Sequence, residues 1–174
     1  DVVIGNPPYV EKKDIMTYQV IGFESDSCND LYAYILERAT HLSNGTRSFG
    51  FIVPLSCFSV ERFKPLQVIL TSKCSELFVS HWSGDAHPSK FFEGVDKRLQ
   101  IVIARRVASI QDCAIYTSKY LKWYAEERSF LFDKNIRYIK LPKQDCYWFD
   151  SSLPKLSSVV EVNALRRLLS KKSF

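Results

Sequence analysis

Asp1-Val2-Val3-Ile4-Gly5-Asn6-Pro7-Pro8-Tyr9 is the stretch on which the reading of the fold turns. Val2, Val3 and Ile4 make a short apolar run, the pattern of a parallel strand buried on both faces. Gly5 lets the backbone leave that strand, and Pro7 and Pro8 stop any helix or further ladder pairing. Each proline holds its own φ at about −65° and drives the residue before it toward extended geometry. Asn6 is thereby held stiffly at the mouth of a sheet, with Tyr9 three residues on. Neither proline has an N–H, so nearby carbonyls are not consumed by a local ladder. The Asn6 side-chain oxygen and the Pro7 carbonyl can then converge as two acceptors, which suits an exocyclic amino group. Tyr9 supplies a flat face for a planar ring, worth about 1–3 kcal/mol per base. The stretch reads as a receptor for adenine or for another planar amine.

Asn6-Pro7-Pro8-Tyr9 after an apolar strand resembles the (Asp/Asn)-Pro-Pro-Tyr motif of amino-group methyltransferases that use S-adenosylmethionine. The continuation Val10-Glu11-Lys12-Lys13-Asp14-Ile15 resembles large adenine-specific DNA N6-methyltransferases of restriction-modification systems, including fused restriction–methylation enzymes. The resemblance implies that the motif ends the fourth strand of a Rossmann-like sheet and that Asn6, Pro7, Pro8 and Tyr9 are catalytic. The substrate it implies is an adenine flipped out of double-stranded DNA. Hydrogen bonds to Asn6 and the Pro7 carbonyl would favour a tetrahedral nitrogen whose lone pair faces the sulfonium methyl group. Orientation and acceptor dipoles would carry such a reaction without a strong general base.

The 174 residues suffice for one domain with its own core, and 46% apolar with 14% aromatic content excludes a disordered chain. No run is long enough to span a bilayer, no signal peptide is present, and a cytoplasmic protein is expected. The chain opens on Asp1 at a strand, so it reads as a piece of a larger protein. Residues 1–60 hold 4 Lys/Arg against 7 Asp/Glu, a net −3, and residues 61–174 hold 20 against 12, a net +8. The positive remainder is compatible with a phosphate backbone as partner. Five cysteines without close pairs fit neither a disulfide framework nor a CxxC metal site, and read as thiols in a reducing compartment.

Along the chain, residues 10–29 are polar, with Glu24-Ser25-Asp26-Ser27 marking a surface loop in which Lys12 and Lys13 could meet phosphates. Asn29 or Asp30 caps a helix carrying Leu31, Ile35, Ala39 and Leu42 at helical spacing, and Gly45 ends it. By resemblance, the Asp30-Leu31-Tyr32 start faces the cofactor's methionine end, so Asp30 and Asn6 are cofactor-binding candidates. Simple capping is the other reading of Asp30. A strand at 48–53 leads through Pro54 to a helix over 61–73 with Phe63, Leu66, Ile69 and Leu70 on one face. Strand, helix, strand, helix predicts a parallel α/β sheet. Strands at 77–81 and 99–104, joined by a loop carrying Gly84 and Gly94, should be antiparallel neighbours at the sheet's edge. By resemblance, Phe92, with Phe91 second, packs on the free face of the flipped base. His81, Asp85 and His87 match no metal-site spacing, and no metal is expected.

Beyond about residue 110 the pattern is a strand at 115–118, an aromatic-rich helix over 119–132, and a short strand at 137–141. A turn at 142–145 and a linker at 151–154 follow, and Ser157 or Ser158 caps a last helix with Val160, Ala164, Leu165 and Leu168 on one face. The whole reads as α/β: half of a Rossmann-like S-adenosylmethionine-dependent methyltransferase sheet with an antiparallel hairpin edge, plus an α+β C-terminal extension. Residues 1–110 form the catalytic half, and 111–174 form an extension toward a target-recognition domain. None of the six glycines makes a GxGxxG turn after a strand. Most of the cofactor site is therefore expected in a missing N-terminal half, a partner of this chain. Methylation of RNA or of a protein glutamine amide is the alternative within enzymes, and a non-catalytic DNA-recognition or assembly module the alternative outside them.

Overall fold

The computed structural model describes residues 2–15, 19–42, 47–85, 89–107, 112–142 and 152–170. Gly45, His87, residues 143–145, Cys146 and Ser151 lie outside the described residues. The elements are β1 (Val2–Gly5), α1 (Leu31–His41), β2 (Arg47–Pro54), α2 (Lys64–Lys73), β3 (Glu76–Trp82), β4 (Leu99–Arg106), β5 (Ala114–Leu121), β6 (Ile139–Lys140) and α3 (Val159–Ser170). Six strands form one mixed sheet in the order β1-β2-β4-β3-β5-β6. β1 runs parallel to β2 and β3 to β5, β4 is antiparallel to both of its neighbours, and β6 is antiparallel to β5.

The core sits under one face of this sheet. Phe49, Phe51 and Val53 of β2, Leu77 and Val79 of β3, Val102 and Ala104 of β4 and Ile115 of β5 all point toward α1 and α2. On α2, Phe63 just before it and Leu66, Ile69 and Leu70 within it are buried, as the spacing predicts. On α1 the buried stripe is instead Tyr32, Ala33, Leu36, Ala39 and Thr40, and Leu42 is exposed. The stripe is displaced because the ring of Tyr32 stacks on Phe63 at 5.1 Å, turning that side of the helix inward. Glu37 follows it into the interior, where its carboxylate accepts the N–H groups of Glu24 and Ser25 at 3.0 and 2.8 Å. That pair pins the 24–27 stretch, and Ser25 and Cys28 are buried where a solvated loop was expected.

Three expectations are corrected. β1 is parallel to β2 but is not buried: it is an edge strand, and Val2 and Ile4 are 69% and 79% exposed, since no described helix covers their face. β3 and β4 are antiparallel neighbours, yet they are not the edge. β4 lies between β2 and β3, and β5 and β6 extend the sheet past residue 110. A short loop fixes which strands pair but not what lies on their outer sides. Residues 119–132 are not one α-helix: 119–121 finish β5, and Ala125–Phe130 is a 3₁₀ segment followed by a π turn at Leu131–Asn135. Strand pairing overrides the local helical pattern at the start of that stretch.

α3 begins as expected. Ser158 Oγ accepts the Glu161 N–H at 3.2 Å and the Glu161 carboxylate accepts the Ser158 N–H at 3.0 Å, a reciprocal cap. Its expected apolar face is not the buried one: Val162 is buried, whereas Val160 and Leu168 are 77% and 65% exposed.

Between β3, β4 and β5 runs a buried polar chain. Thr117 Oγ1 donates to the Pro154 carbonyl at 2.7 Å, so the same oxygen accepts from His81 Nε2 at 2.9 Å. His81 Nδ1 then accepts from Gln100 Nε2 at 2.9 Å, and Gln100 Oε1 accepts the Phe58 N–H. Both imidazole nitrogens are engaged, which leaves His81 no lone pair for the metal set considered with Asp85 and His87. Burial, helped by the charge of Lys155, lowers the His81 pKa to about 3. His81 therefore stays neutral in the fold and binds its proton in the unfolded chain near 6.5. Stability is full above pH 6.5 and falls as pH drops from there toward 3. His81→Gln should flatten that acid limb in melting temperatures recorded between those pH values, and an unchanged limb would contradict the assignment.

Candidate active site

The Asn6-Pro7-Pro8-Tyr9 corner leaves the carboxyl end of β1. Pro7 is buried, Asn6 and Pro8 are exposed, and Tyr9 is half-buried. The Tyr9 hydroxyl donates to Asn6 Oδ1 at 2.6 Å and lies 3.2 Å from the Ile52 carbonyl of β2. Burial pushes its pKa up to about 12, so it remains a protonated donor. One oxygen of Asn6 is thus oriented from within the corner, and its second lone pair remains open to solvent.

The corner is fastened to the start of α1 by backbone pairing. Leu31 N–H donates to Val10 O at 2.9 Å and Lys12 N–H to Asn29 O at 3.1 Å, with Glu11 and Asp30 in an antiparallel bridge. Asn29 adopts φ 60°, a left-handed turn that asparagine tolerates and that aims the chain into the helix. Tyr9 meets Tyr32 edge-on at 6.5 Å, and the Tyr32 hydroxyl is 3.0 Å from Ser56 Oγ. Ser56 in turn lines a cleft of ≈ 500 Å³ together with Pro54, Leu55, Gly84, Asp85, Lys97 and Arg98. The cleft lies at the carboxyl ends of β2 and β3, where open α/β sheets bind ligands. Its floor is drawn tight at Gly84: a Cβ there would meet Lys97 O at 1.8 Å, so only glycine fits.

Asp30 does not cap α1 through its side chain. It is 8% exposed, its Oδ1 is buried with no hydrogen-bond partner among the described residues, and Oδ2 is 3.9 Å from Arg62. Burial raises its carboxyl pKa to about 6, against the pull of Arg62 and Lys97. A buried oxygen left unpaired costs free energy that ligand contact can recover. Arg62 and Lys97 give no sequence pattern of their own, because they approach Asp30 from a separate turn and a separate loop.

The remaining candidates separate from this corner. Lys12 pairs with Asp26 at 2.6 Å and Lys13 with Glu11 at 2.7 Å. Phe91 packs on Trp82 at 4.9 Å and Trp123 at 5.5 Å, inside a second apolar cluster, and Phe92 rests on Phe91 at 6.2 Å. Glu24, Glu37 and His41 converge within 4.8 Å, but the Lys73 ammonium already lies 2.7 Å from His41 Nε2 and 3.3 Å from Glu24.

With this geometry in place, comparison with known proteins is informative. Residues 1–85 match the family described as Eco57I restriction-modification methylase. The match links the chain to the methylases of restriction-modification systems. No curated protein sequence matches the chain. Among solved structures, a nuclease-deletion mutant of the Type ISP restriction-modification enzyme LlaGI, in complex with a DNA substrate mimic, aligns with TM-score 0.63 at 17% identity. That alignment covers 87% of this chain and 18% of LlaGI. The DrdV–DNA complex aligns with TM-score 0.61, also at 17% identity, over 81% of this chain and 17% of that one. At such identity the likeness is one of fold, and the chain spans less than a fifth of either enzyme.

Since the Asp30 pKa is raised from 3.8 to about 6, its contribution to stability is present below 3.8 and lost as pH rises through 6. Asp30→Asn should therefore raise the melting temperature at pH 8, with the gain gone by pH 3.8. A melting temperature unchanged or lowered at pH 8 would show that the carboxylate is satisfied within the fold.

Proposed function

We propose that this chain is the catalytic half of a restriction-modification DNA methyltransferase that moves a methyl group from S-adenosylmethionine to adenine N6. The observation that carries the reading is the corner itself: an exposed carboxamide oriented by a tyrosine hydroxyl, at the carboxyl edge of a sheet. The family match over residues 1–85 supports it, because that segment contains the corner, α1, β2, α2 and β3. In this reading Asn6 Oδ1 and the Pro7 carbonyl accept from the adenine amine, and Pro8 keeps the corner rigid. Tyr9 presents its ring to the base, and Phe92 is the best candidate for the opposite face. Lys12 and Lys13 are candidate phosphate contacts only if DNA displaces their carboxylate partners.

S-adenosylmethionine would supply the electrophilic methyl. Asp30 is the residue of this chain best suited to hold it, since an ammonium group would satisfy a buried, unpaired carboxylate oxygen. Asn6 stands at the same mouth. The uncovered apolar edge at Val2 and Ile4 supports a Rossmann-like sheet that continues into a cofactor-binding half. Residues 111–174 then form the extension toward target recognition.

Asn6→Ala in the full-length protein should lower methyl transfer by about 10²–10³-fold, the usual effect of removing one oriented polar group from a transition state, with duplex binding retained. Radiolabel transfer from S-adenosylmethionine and a gel shift measure the two. Methylation that survives the change would refute the assigned role, and loss of both together would mark Asn6 as structural.

A further inference from the structure

A second cleft, ≈ 710 Å³, opens at the carboxyl end of β5 and is lined by Lys119, Tyr120, Lys122, Trp123 and Arg137, among others. Neither the family match nor the corner chemistry uses it. Lys119, Lys122 and Arg137 are exposed and have no ion-pair or hydrogen-bond partner for their charged ends among the described residues. Glu127, the acid in the lining, is committed to the Tyr124 N–H at 2.8 Å. The excess of charge is therefore positive. Trp123 is 1% exposed, yet its indole N–H is buried without a partner, and the Tyr120 hydroxyl is buried and unpartnered as well. Buried donors of this kind are rarely left unmade. Three cations around two unsatisfied donors describe a receptor for an oxyanion.

We propose that this cleft binds a phosphate of the DNA backbone beside the target base. The proposal rests on the DNA-methylating reading and adds a contact site to it. Location supports it. β5 runs parallel to β3, and the Ser83 N–H donates to Leu121 O at 2.8 Å, which ties the two strand ends together. Gly84 and Asp85, one and two residues on, line the cleft beside the Asn6 corner. The two clefts thus flank the end of β3 on one edge of the sheet. Trp82 and Trp123 are too buried to stack on a base, so the recognised group is the phosphate, and the contact is indifferent to sequence.

The test is fluorescence anisotropy of a labelled duplex with the full-length protein, between about 50 and 200 mM salt. Lys122→Gln combined with Arg137→Gln should weaken binding to every duplex and lower the salt slope by about 2, one for each lost phosphate contact. Trp123→Phe, which keeps the ring and removes the N–H, should weaken binding with the slope unchanged. An unchanged affinity and slope in a double variant that melts like the parent would overturn the proposal. So would an altered melting temperature with the slope intact, which would mean that a protein segment fills the cleft. The readout does not depend on methyl transfer. A reduced slope without any methylation would sink the enzyme reading and keep the cleft, while Asn6-dependent methylation with an unmoved slope would do the reverse.

Discussion

The organising constraint is the hydroxyl of Tyr9, held between Asn6 Oδ1 and the Ile52 carbonyl. Two adjacent prolines can stiffen a chain but cannot say where it points, because each fixes only its own φ and biases its predecessor. The tyrosine supplies the direction. It ties the exit of β1 to the neighbouring strand and leaves the carboxamide facing solvent with one oxygen oriented. Pairing of residues 10–12 with 29–31 then fixes the start of α1, and with it Asp30, beside the same corner.

Charge is distributed so that this edge of the sheet is reactive and the interior is not. His81, Gln100 and Thr117 are fully buried, but their polar atoms are matched to one another and to the backbone. Asp30, Tyr120 and Trp123 are the reverse case, with buried polar atoms and no match. All three lie at or near the carboxyl edge of the sheet, and a buried unpaired group costs roughly 1–3 kcal/mol. Strain of that kind is retained where a ligand relieves it.

What was legible in the sequence followed local rules. Pro54, the apolar face of α2, the antiparallel pairing of β3 with β4 and the Ser158–Glu161 cap are each set within a few residues, and each appears as read. The failures are long-range. The exposure of Val2 and Ile4 depends on what covers β1, the interior place of β4 on β2, and the fate of residues 119–121 on pairing with β3. At the candidate site, the corner residues were readable because they are contiguous. Arg62, Lys97, Ser56 and the Ile52 carbonyl were not, since only folding brings them there.

The central claim is that the corner accepts an exocyclic amine, so the chemical identity of the methylated product tests it most directly. DNA incubated with the full-length enzyme and S-adenosylmethionine bearing a deuterated methyl group can be digested to nucleosides and analysed by mass spectrometry. The account predicts that the label appears in N6-methyldeoxyadenosine. Label on a ring carbon, as in 5-methyldeoxycytidine, or no label in DNA at all, would contradict it.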